Sequence, residues 1–288
     1  MNGHTKIFGV AGFPVSHTLS PVIHNDLFKR YGINSIYLPL EIAQERFKDF
    51  VQGLRSINNL VGLNITVPYK ETILPYLDEI SPDARLIGAV NTVLVSKSRL
   101  KGYNSDWYGF SSSMKINFPR FRLKNSRVLL LGAGGGSKAV SFALLRSGIR
   151  KLVLVDIIHE KARQLKKHLL RYNGKTEIIV EDKGFASLSR MDLSPDLIIN
   201  ATPQGLKQGD KPVISLKPIA GPKTVVYDLI YNPRETALLR SARQMGLAYV
   251  NGLDMLILQA LRSFSIWTRM DLEKGLAGHL SRLRKQCS

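Results

Sequence analysis

A lysine and a carboxylate, in two separate polar segments, are the side chains of this sequence best suited to acid–base chemistry. Lys70 ends the segment Asn64-Ile-Thr-Val-Pro-Tyr-Lys70, where polar residues alternate at the end of an apolar strand and Pro68 begins a helix. Asp106 lies in Gly102-Tyr-Asn-Ser-Asp-Trp107 and opens another predicted helix. A lysine in a first helical turn opposes the helix dipole, so Lys70 either points to solvent or has another task. Asp106 either caps its helix or serves as a functional carboxylate.

Two hydroxyl residues form a third polar segment. Thr18 and Ser20 lie two positions apart in Gly12-Phe-Pro-Val-Ser-His-Thr-Leu-Ser-Pro21, before a helix predicted to begin at Pro21. Such hydroxyls accept a helix N–H or donate to a ligand carboxylate, and the bare pattern favours capping.

A glycine loop between two apolar strands indicates a dinucleotide site. Arg127–Leu131 is a predicted strand, Gly132-Ala-Gly-Gly-Gly136 a loop that opens a helix, and Lys151–Val155 a second strand followed by Asp156. A strand that turns sharply into a helix directs backbone N–H groups at open space, where a pyrophosphate can bind. Asp156 follows at roughly the 20-residue spacing of an acid that binds ribose hydroxyls, or it caps the helix near His159. A carboxylate there attracts a diol and repels a phosphate, which favours NAD over NADP.

These segments together predict an alcohol dehydrogenase chemistry. Hydride departure from carbon must be matched by removal of the proton from oxygen. A lysine near a carboxylate at the mouth of a dinucleotide site suits that requirement.

The elements that position these residues alternate between strands and helices. In the first part of the chain, strands predicted at Lys6–Ala11, Ser35–Leu40 and Val61–Ile65 alternate with helices, which indicates a mostly parallel sheet. A hairpin is predicted over Ala89–Ser96 and Arg99–Tyr103.

Beyond the glycine loop the alternation resumes, with strands predicted at Glu177–Val180, Leu197–Asn200 and Thr224–Asp228. The residues from Leu253 onward are helical by period. We therefore predict an α/β fold class with three parts: an N-terminal α/β domain over residues 1–105, a Rossmann-like doubly wound dinucleotide-binding domain over residues 106–251, and C-terminal helices over residues 252–288 that complete the first domain.

Composition excludes several classes of protein. The 288 residues, 44% hydrophobic and 22% charged, suit roughly two globular domains. No apolar run approaches the roughly 18 residues of a membrane helix and glycines and prolines interrupt the N-terminal residues, so we expect a cytoplasmic protein with no membrane partner. The one cysteine and the six dispersed histidines predict no intrachain disulfide and no metal site.

The net charge of +19 is high for such a protein. Because the lysines and arginines are spread along the chain without a long basic run, we expect no specific nucleic-acid partner. The charge is assigned to solvated faces, and it would attract anionic substrate and dinucleotide without specificity.

The motifs resemble those of the shikimate dehydrogenase family, from about residue 6 to about residue 265. The family motifs are GxPxxHSxSPxxHN, NxTxPxK, GAxNT, NTD, GAGGxxxA and GxxMLxxQ. The corresponding segments here are Gly12–Asn25, Asn64–Lys70, Gly88–Thr92, Asn104–Asp106, Gly132–Ala139 and Gly252–Gln259. Several long motifs in the same order make the resemblance specific.

The resemblance implies a catalytic pair and a substrate site in the N-terminal domain. Neutral Lys70 would remove the hydroxyl proton during oxidation and return it during reduction, while Asp106 orients the lysine and the substrate oxygen. Thr18 and Ser20 would hold the substrate carboxylate. The residues implied to bind the ring hydroxyls are Asn64, Thr66, Asn91 and Gln259, and Tyr231 would lie near the substrate.

The resemblance also implies the cofactor residues. Asp156 would bind the ribose, and Thr202, Leu229 and Gly252 would lie along the nicotinamide half. The loop implied to bind the pyrophosphate consists of Gly132, Ala133, Gly134, Gly135 and Gly136.

Four positions depart from the family pattern. Thr18 replaces the usual serine, and its methyl group reshapes the carboxylate end of the site. Ser105 for threonine is a mild change, whereas Trp107 replaces a common glycine beside Asp106. After the second strand of the dinucleotide domain, NADP-using relatives have a segment that resembles Asn-Arg-Thr, whose arginine binds the 2′-phosphate. This chain has Asp156-Ile-Ile158 there.

The sequence thus predicts an enzyme that interconverts 3-dehydroshikimate and shikimate, with the same ring position of quinate as a further substrate. NAD is the favoured cofactor and NADP the alternative. Thr18 and Trp107 leave open a dehydrogenase of another cyclic carboxylate. A non-catalytic dinucleotide-binding homologue is a third reading, against which Lys70 and Asp106 argue. The expected partner is a small cyclic hydroxy acid, and the expected state is a monomer or homodimer.

Overall fold

The structure is a computed structural model that describes residues 1–171, 174–190, 193–207 and 209–287. Internal contacts divide the chain into two compact units. Unit 1 comprises Met1–Gly109 together with the residues from Ile257 onward, and unit 2 comprises Phe110–Leu256. In the described residues, no helix is both long and apolar enough to cross a membrane.

Unit 1 is built on a six-stranded mixed sheet in the order β2-β1-β3-β5-β6-β4. Its strands are β1 (Lys6–Gly12), β2 (Ser35–Glu41), β3 (Leu60–Ile65), β4 (Glu79–Ile80), β5 (Thr92–Ser96) and β6 (Arg99–Tyr103). The strand β1 pairs in parallel with β2 and β3, whereas β5 pairs antiparallel with β3 and β6. The predicted hairpin is confirmed, but its first strand begins at Thr92 and not at Ala89. The N–H of Val90 donates to the carbonyl of Lys70 at 2.8 Å and not to a neighbouring strand.

Helices cover the sheet of unit 1 and enclose its core. They are α1 (Ser20–Arg30), α2 (Phe47–Gly53), α3 (Tyr69–Thr72), α4 (Pro82–Ile87), the first turn of α5 (Asp106–Asn117), most of α9 (Leu253–Thr268) and α10 (Leu276–Gln286). Gly62 on β3 lets α9 approach the sheet, since a Cβ there would collide with the Trp267 indole. That indole donates to the Val93 carbonyl at 3.0 Å, which anchors the end of α9.

Unit 2 contains a fully parallel sheet in the order β12-β11-β10-β7-β8-β9. Its strands are β7 (Arg127–Leu131), β8 (Lys151–Val155), β9 (Glu177–Val180), β10 (Leu197–Asn200), β11 (Val225–Asp228) and β12 (Ala248–Val250), and its own helices are α6 (Gly135–Arg146), α7 (His159–Leu169) and α8 (Ala237–Gln244). This is the doubly wound Rossmann order, which confirms the predicted fold class. The strand order reverses between β7 and β10, where such sheets bind ligands.

The division between the units falls inside two helices. The sequence-based boundaries lie near residues 105 and 252, whereas the contacts separate the units after Gly109 and after Leu256. The helices α5 and α9 both contribute residues to each unit. A boundary placed at the start of either helix therefore differs from the contact-based division by the first turn of that helix.

Candidate active site

Lys70 and Asp106 form an ion pair on unit 1. The Lys70 Nζ lies 2.7 Å from Asp106 Oδ2, and the two side chains are 16% and 8% exposed. Lys70 follows β3 in the short helix α3, and Asp106 is the first residue of α5. The Asp106 N–H is accepted by Asn104 Oδ1 at 3.0 Å, so Asn104 satisfies the helix start while the Asp106 carboxylate faces the lysine.

Asn91 holds the other oxygen of the carboxylate. Its Nδ2 donates to Asp106 Oδ1 at 2.8 Å and to Ser105 Oγ at 2.9 Å, and its Oδ1 accepts the Ser105 N–H at 2.7 Å. An amide offers two donated hydrogens and one oxygen acceptor. The two Nδ2 hydrogens of Asn91 are therefore committed to Asp106 and Ser105, and they fix the orientation of the carboxylate.

Asn64 lies on β3 and is held at both ends of its amide. Tyr37 donates its hydroxyl to Asn64 Oδ1 at 2.7 Å, and Asn64 Nδ2 donates to the carbonyl of Asn91 at 3.0 Å. Burial raises the pKa of Tyr37 well above its ordinary value of 10.0, so the phenol remains a donor. His24 stacks on Tyr37 with ring centroids 4.3 Å apart.

His24 forms part of the buried layer beneath these residues and is fully buried. Burial lowers the pKa of His24 from 6.5 to about 3, against a smaller opposing effect of Asn64. The imidazole is therefore neutral at physiological pH, and its ring serves as a packing surface for Tyr37.

Gln259 on α9 joins the same network. Its Oε1 accepts from Ser105 Oγ at 3.2 Å and lies 3.3 Å from Asn91 Nδ2. The structure thus connects five of the residues implied by the motifs through direct or shared hydrogen bonds. They are Lys70, Asp106, Asn91, Asn64 and Gln259.

The hydroxyl pair lies at the start of α1. Thr18 donates from Oγ1 to Ser20 Oγ at 3.2 Å and accepts the Ser20 N–H at 3.3 Å. The residue preceding the helix is Leu19, whose side chain makes no capping hydrogen bond. Thr66 follows β3 directly, and its N–H donates to the Ala11 carbonyl at 2.9 Å. Among the residues that the structure describes, the Thr66 side chain makes no hydrogen bond to another predicted site residue.

The glycine loop of unit 2 turns directly from β7 into α6. Gly132 has a φ of +93°, and a Cβ there would lie 2.9 Å from the Ala201 carbonyl oxygen, so the turn requires glycine. A Cβ at Gly134 or at Gly136 would meet nothing within 4 Å, so open space lies beside the loop. Gly135 is the first residue of α6. These features fit a pyrophosphate on a helix N-terminus.

Asp156 is tied to this loop. Its Oδ2 accepts the Ala133 N–H at 2.7 Å, and its Oδ1 accepts the Ile158 N–H at 2.8 Å. The Ala133 N–H therefore binds the carboxylate, which leaves the pyrophosphate to other N–H groups of the loop. Each carboxylate oxygen has a second lone pair for a ribose hydroxyl. Ile157 and Ile158, which follow Asp156, are 75% and 49% exposed and offer no cation.

The remaining predicted cofactor residues lie at the carboxyl ends of the strands of unit 2. Thr202 follows β10 and donates from Oγ1 to Asn200 Oδ1 at 2.7 Å. Leu229 follows β11, and a Cβ at Gly252 would collide with its carbonyl, so the two chain segments touch. Tyr231 lies two residues beyond Leu229 and is half-buried.

Some side chains of the unit 1 network have no predicted role. Tyr37, Thr92, Ser105 and Ser263 all bond to the predicted site residues. Thr92 ends a recognised motif, and Ser263 lies one helical turn after Gln259, which is the spacing that could have indicated it. Among the described residues, no group of three or more His, Cys, Asp or Glu side chains is placed to hold a metal ion.

Comparison with known proteins identifies close relatives. The family model of the shikimate dehydrogenase substrate binding domain matches residues 10–93. The chain is 39% identical over 271 residues to a shikimate dehydrogenase (NADP(+)) of Carboxydothermus hydrogenoformans, covering 93% of each protein. A crystal structure of shikimate dehydrogenase from Aquifex aeolicus superposes with a TM-score of 0.86 at 36% identity, covering 98% of this chain and 99% of that one. A quinate dehydrogenase from Corynebacterium glutamicum in complex with NAD superposes with a TM-score of 0.85 at 28% identity, covering 98% of each chain.

Proposed function

The chain belongs to the shikimate dehydrogenase family, and we propose that it interconverts 3-dehydroshikimate and shikimate by hydride transfer with a nicotinamide cofactor. The observation that carries this proposal is the Lys70–Asp106 ion pair at 2.7 Å, held within a network of amides on unit 1. Unit 1 is assigned the substrate and unit 2 the dinucleotide. A cytoplasmic location stays a prediction from the sequence.

The proposed reaction moves one proton through Lys70. During oxidation, neutral Lys70 accepts the proton of the substrate hydroxyl as the carbon–oxygen double bond forms. During reduction, the ammonium of Lys70 returns that proton to the carbonyl oxygen. Asp106 keeps Nζ in place at 2.7 Å, and Asn91 keeps Asp106 in place at 2.8 Å. The dinucleotide, when bound, accepts or supplies the hydride.

The proposed substrate contacts follow from the groups at hand. Thr18 and Ser20 offer two hydroxyls at the N-terminus of α1, which suit a carboxylate. Asn64 Oδ1 has a second lone pair besides the one that takes Tyr37, so it suits a ring hydroxyl that donates. Thr66 and Gln259 are proposed to bind further ring hydroxyls. Asn91, whose amide is already committed, is proposed to act by holding Asp106.

We further propose that NAD is the preferred dinucleotide. The carboxylate of Asp156 lies at the glycine loop, where a 2′-phosphate would meet a like charge, and the following Ile157 and Ile158 provide no guanidinium or ammonium partner. The quinate dehydrogenase neighbour was solved with NAD. The named relative from Carboxydothermus hydrogenoformans uses NADP(+), so this preference separates the chain from it.

Quinate is the second proposed substrate. The neighbour of that name matches the fold over nearly the whole chain, and the methyl group of Thr18 changes the shape of the proposed carboxylate end of the site, where quinate and shikimate differ.

Steady-state kinetics with two substrates and two cofactors tests these proposals together. Purified protein is assayed with shikimate and with quinate, each with NAD and with NADP. We expect turnover of shikimate, and kcat/KM with NAD about tenfold or more above that with NADP, since one unmatched charge contact corresponds to about that factor. Absence of turnover with both acids would overturn the proposed function. A higher kcat/KM with NADP would overturn only the role of Asp156.

A further inference from the structure

We propose that Ser263 is a positioning residue of the substrate site, which holds the amide of Asn64 against the main chain of α9 at Gln259. The inference rests on the proposed function, because it concerns the same ring-hydroxyl contacts. Ser263 lies on α9 and is fully buried. None of the sequence motifs includes it.

The Ser263 hydroxyl contacts four polar groups of the site. Asn64 Nδ2 donates to its Oγ at 3.1 Å, and the Oγ donates to the Gln259 carbonyl one turn earlier in α9 at 3.0 Å. Its Oγ also lies 2.8 Å from Thr92 Oγ1 and 3.0 Å from Ser105 Oγ. These partners come from β3, β5, the segment before α5, and α9 itself.

The hydroxyl oxygens of Thr92, Ser105 and Ser263 form a triangle, the hydroxyl triad, in which Ser263 accepts because its own hydrogen goes to the Gln259 carbonyl. The third side of this triangle, Thr92 Oγ1 to Ser105 Oγ, measures 3.2 Å. All three residues are fully buried. Because a hydroxyl donates one hydrogen and accepts at two lone pairs, each member of the triad limits the hydrogen directions of the other two. A buried network of this kind is more rigid than its separate pairs.

The direction of the bond from Asn64 is fixed by its neighbours. Asn64 Nδ2 also faces the Asn91 carbonyl at 3.0 Å, which can only accept, so this atom is the donating nitrogen. Ser263 must then accept from it. With Nδ2 held by the Asn91 carbonyl and by Ser263, the Oδ1 atom is the one left to meet a substrate hydroxyl.

The second arm of the network runs from Ser263 to Gln259. Ser263 Oγ donates its one hydrogen to the Gln259 main-chain carbonyl at 3.0 Å and accepts from Asn64 Nδ2 at 3.1 Å. Ser263 therefore ties the Asn64 amide to the main chain of α9. Loss of that hydroxyl removes the acceptor on α9 from Asn64 Nδ2, so the amide is held less firmly and substrate binding must then order it.

The first test is Ser263→Ala. We expect KM for shikimate to rise about tenfold, as one lost buried hydrogen bond predicts, while kcat falls less than threefold and KM for NAD is unchanged. Ser263→Cys keeps the side-chain volume with weaker hydrogen bonds and should give an intermediate KM. It also keeps the test valid should the alanine variant not fold.

Ser141→Ala is the matched control. Ser141 is equally buried on α6, and its Oγ has no hydrogen-bond partner among the described residues. We expect wild-type KM values from it. Wild-type KM for shikimate in both Ser263 variants would overturn the inference, and so would an equal loss of NAD affinity, which would indicate a general structural role.

A double-mutant cycle with Asn64→Ala provides the decisive measurement. If Ser263 acts through Asn64, adding Ser263→Ala to Asn64→Ala should change kcat/KM less than twofold. A full tenfold further loss in that background would show that the two residues act independently and would overturn the inference. The proposed function itself fails separately, if the unmodified protein does not turn over shikimate.

Discussion

The two units present their proposed ligands with different chemical groups. On unit 1, side chains from β3, α3, the β5–β6 hairpin, α5 and α9 bond to one another. The Asp106 carboxylate, for example, accepts from both Lys70 and Asn91. On unit 2, the glycine loop offers mainly backbone N–H groups to a ligand. Its shape depends on the positive φ of Gly132 and on the bond from Ala133 N–H to the Asp156 carboxylate. Side chains can exchange protons with a substrate, whereas backbone N–H groups can only bind. The acid–base chemistry is therefore expected on unit 1 and the cofactor choice on unit 2.

Lys70→Ala should have the largest effect. Removal of the proton acceptor is expected to lower kcat by about 10²-fold or more, while NAD binding to unit 2 stays nearly unchanged. Single-turnover kinetics measure the loss of rate, and titration with NAD, followed by the fluorescence of the protein, measures NAD binding.

Lys101→Ala is the matched control for Lys70, because Lys101 is 43% exposed on unit 1 and pairs with Glu79. It should retain full kcat. If Lys70→Ala lost NAD binding while retaining kcat at saturating NAD, the lysine would be structural and the contrast between the units would break.

The buried layer of unit 1 predicts a dependence of stability on pH. The pKa of His24 is 6.5 when unfolded and about 3 when folded, so between these values the unfolded chain binds more protons. The free energy of unfolding therefore falls as pH falls through this window, by up to about 1.4 kcal/mol per pH unit. His24→Phe keeps a ring against Tyr37 without titrating, and its stability should fall less steeply.

Urea unfolding of both proteins between about pH 6.5 and pH 4.5 provides the measurement. His4→Phe, at an exposed position, serves as the control and should keep the wild-type slope. Identical slopes for wild type and His24→Phe would mean that folding does not lower the pKa of His24.

Asp156→Ala should have the smallest of these effects and should act on the cofactor alone. We expect kcat/KM with NAD to fall about tenfold, as for the loss of one charged hydrogen bond, and kcat/KM with NADP to fall less because a like charge is removed. Asp182→Ala, which removes an exposed carboxylate from the same unit, is the control. Equal losses with NAD and NADP would assign Asp156 to loop structure only, through its bond to Ala133.

The contrast between the units also explains which features the sequence could predict. The glycine loop and Asp156 belong to one continuous strand–loop–helix–strand segment, whose local geometry follows from nearby residues. The α/β class and the family could be predicted, and are confirmed, because periodicity and motifs can be read from short segments of the chain. The assignment of catalytic and binding roles to individual residues stays a prediction.

Other features depended on distant contacts. Asp106 alone could be a helix cap or a functional carboxylate, and only the approach of α3 to α5 directs it at Lys70. The only sequence signal of Ser263 was its one-turn spacing from Gln259, because its partners Asn64 and Thr92 lie on strands far from α9 along the chain.

The sequence by itself determined the strands other than β4 and β12, the glycine loop and the residue types available for acid–base chemistry, because these follow from short-range periodicity and backbone preference. Only the tertiary structure decided which amide faces which partner. That choice depends on α9 packing against β3 at Gly62, where the missing Cβ admits Trp267 and sets the depth of the helix. Hydrogen bonds form only within about 3.5 Å, so no pattern along the chain can specify them before the elements have packed.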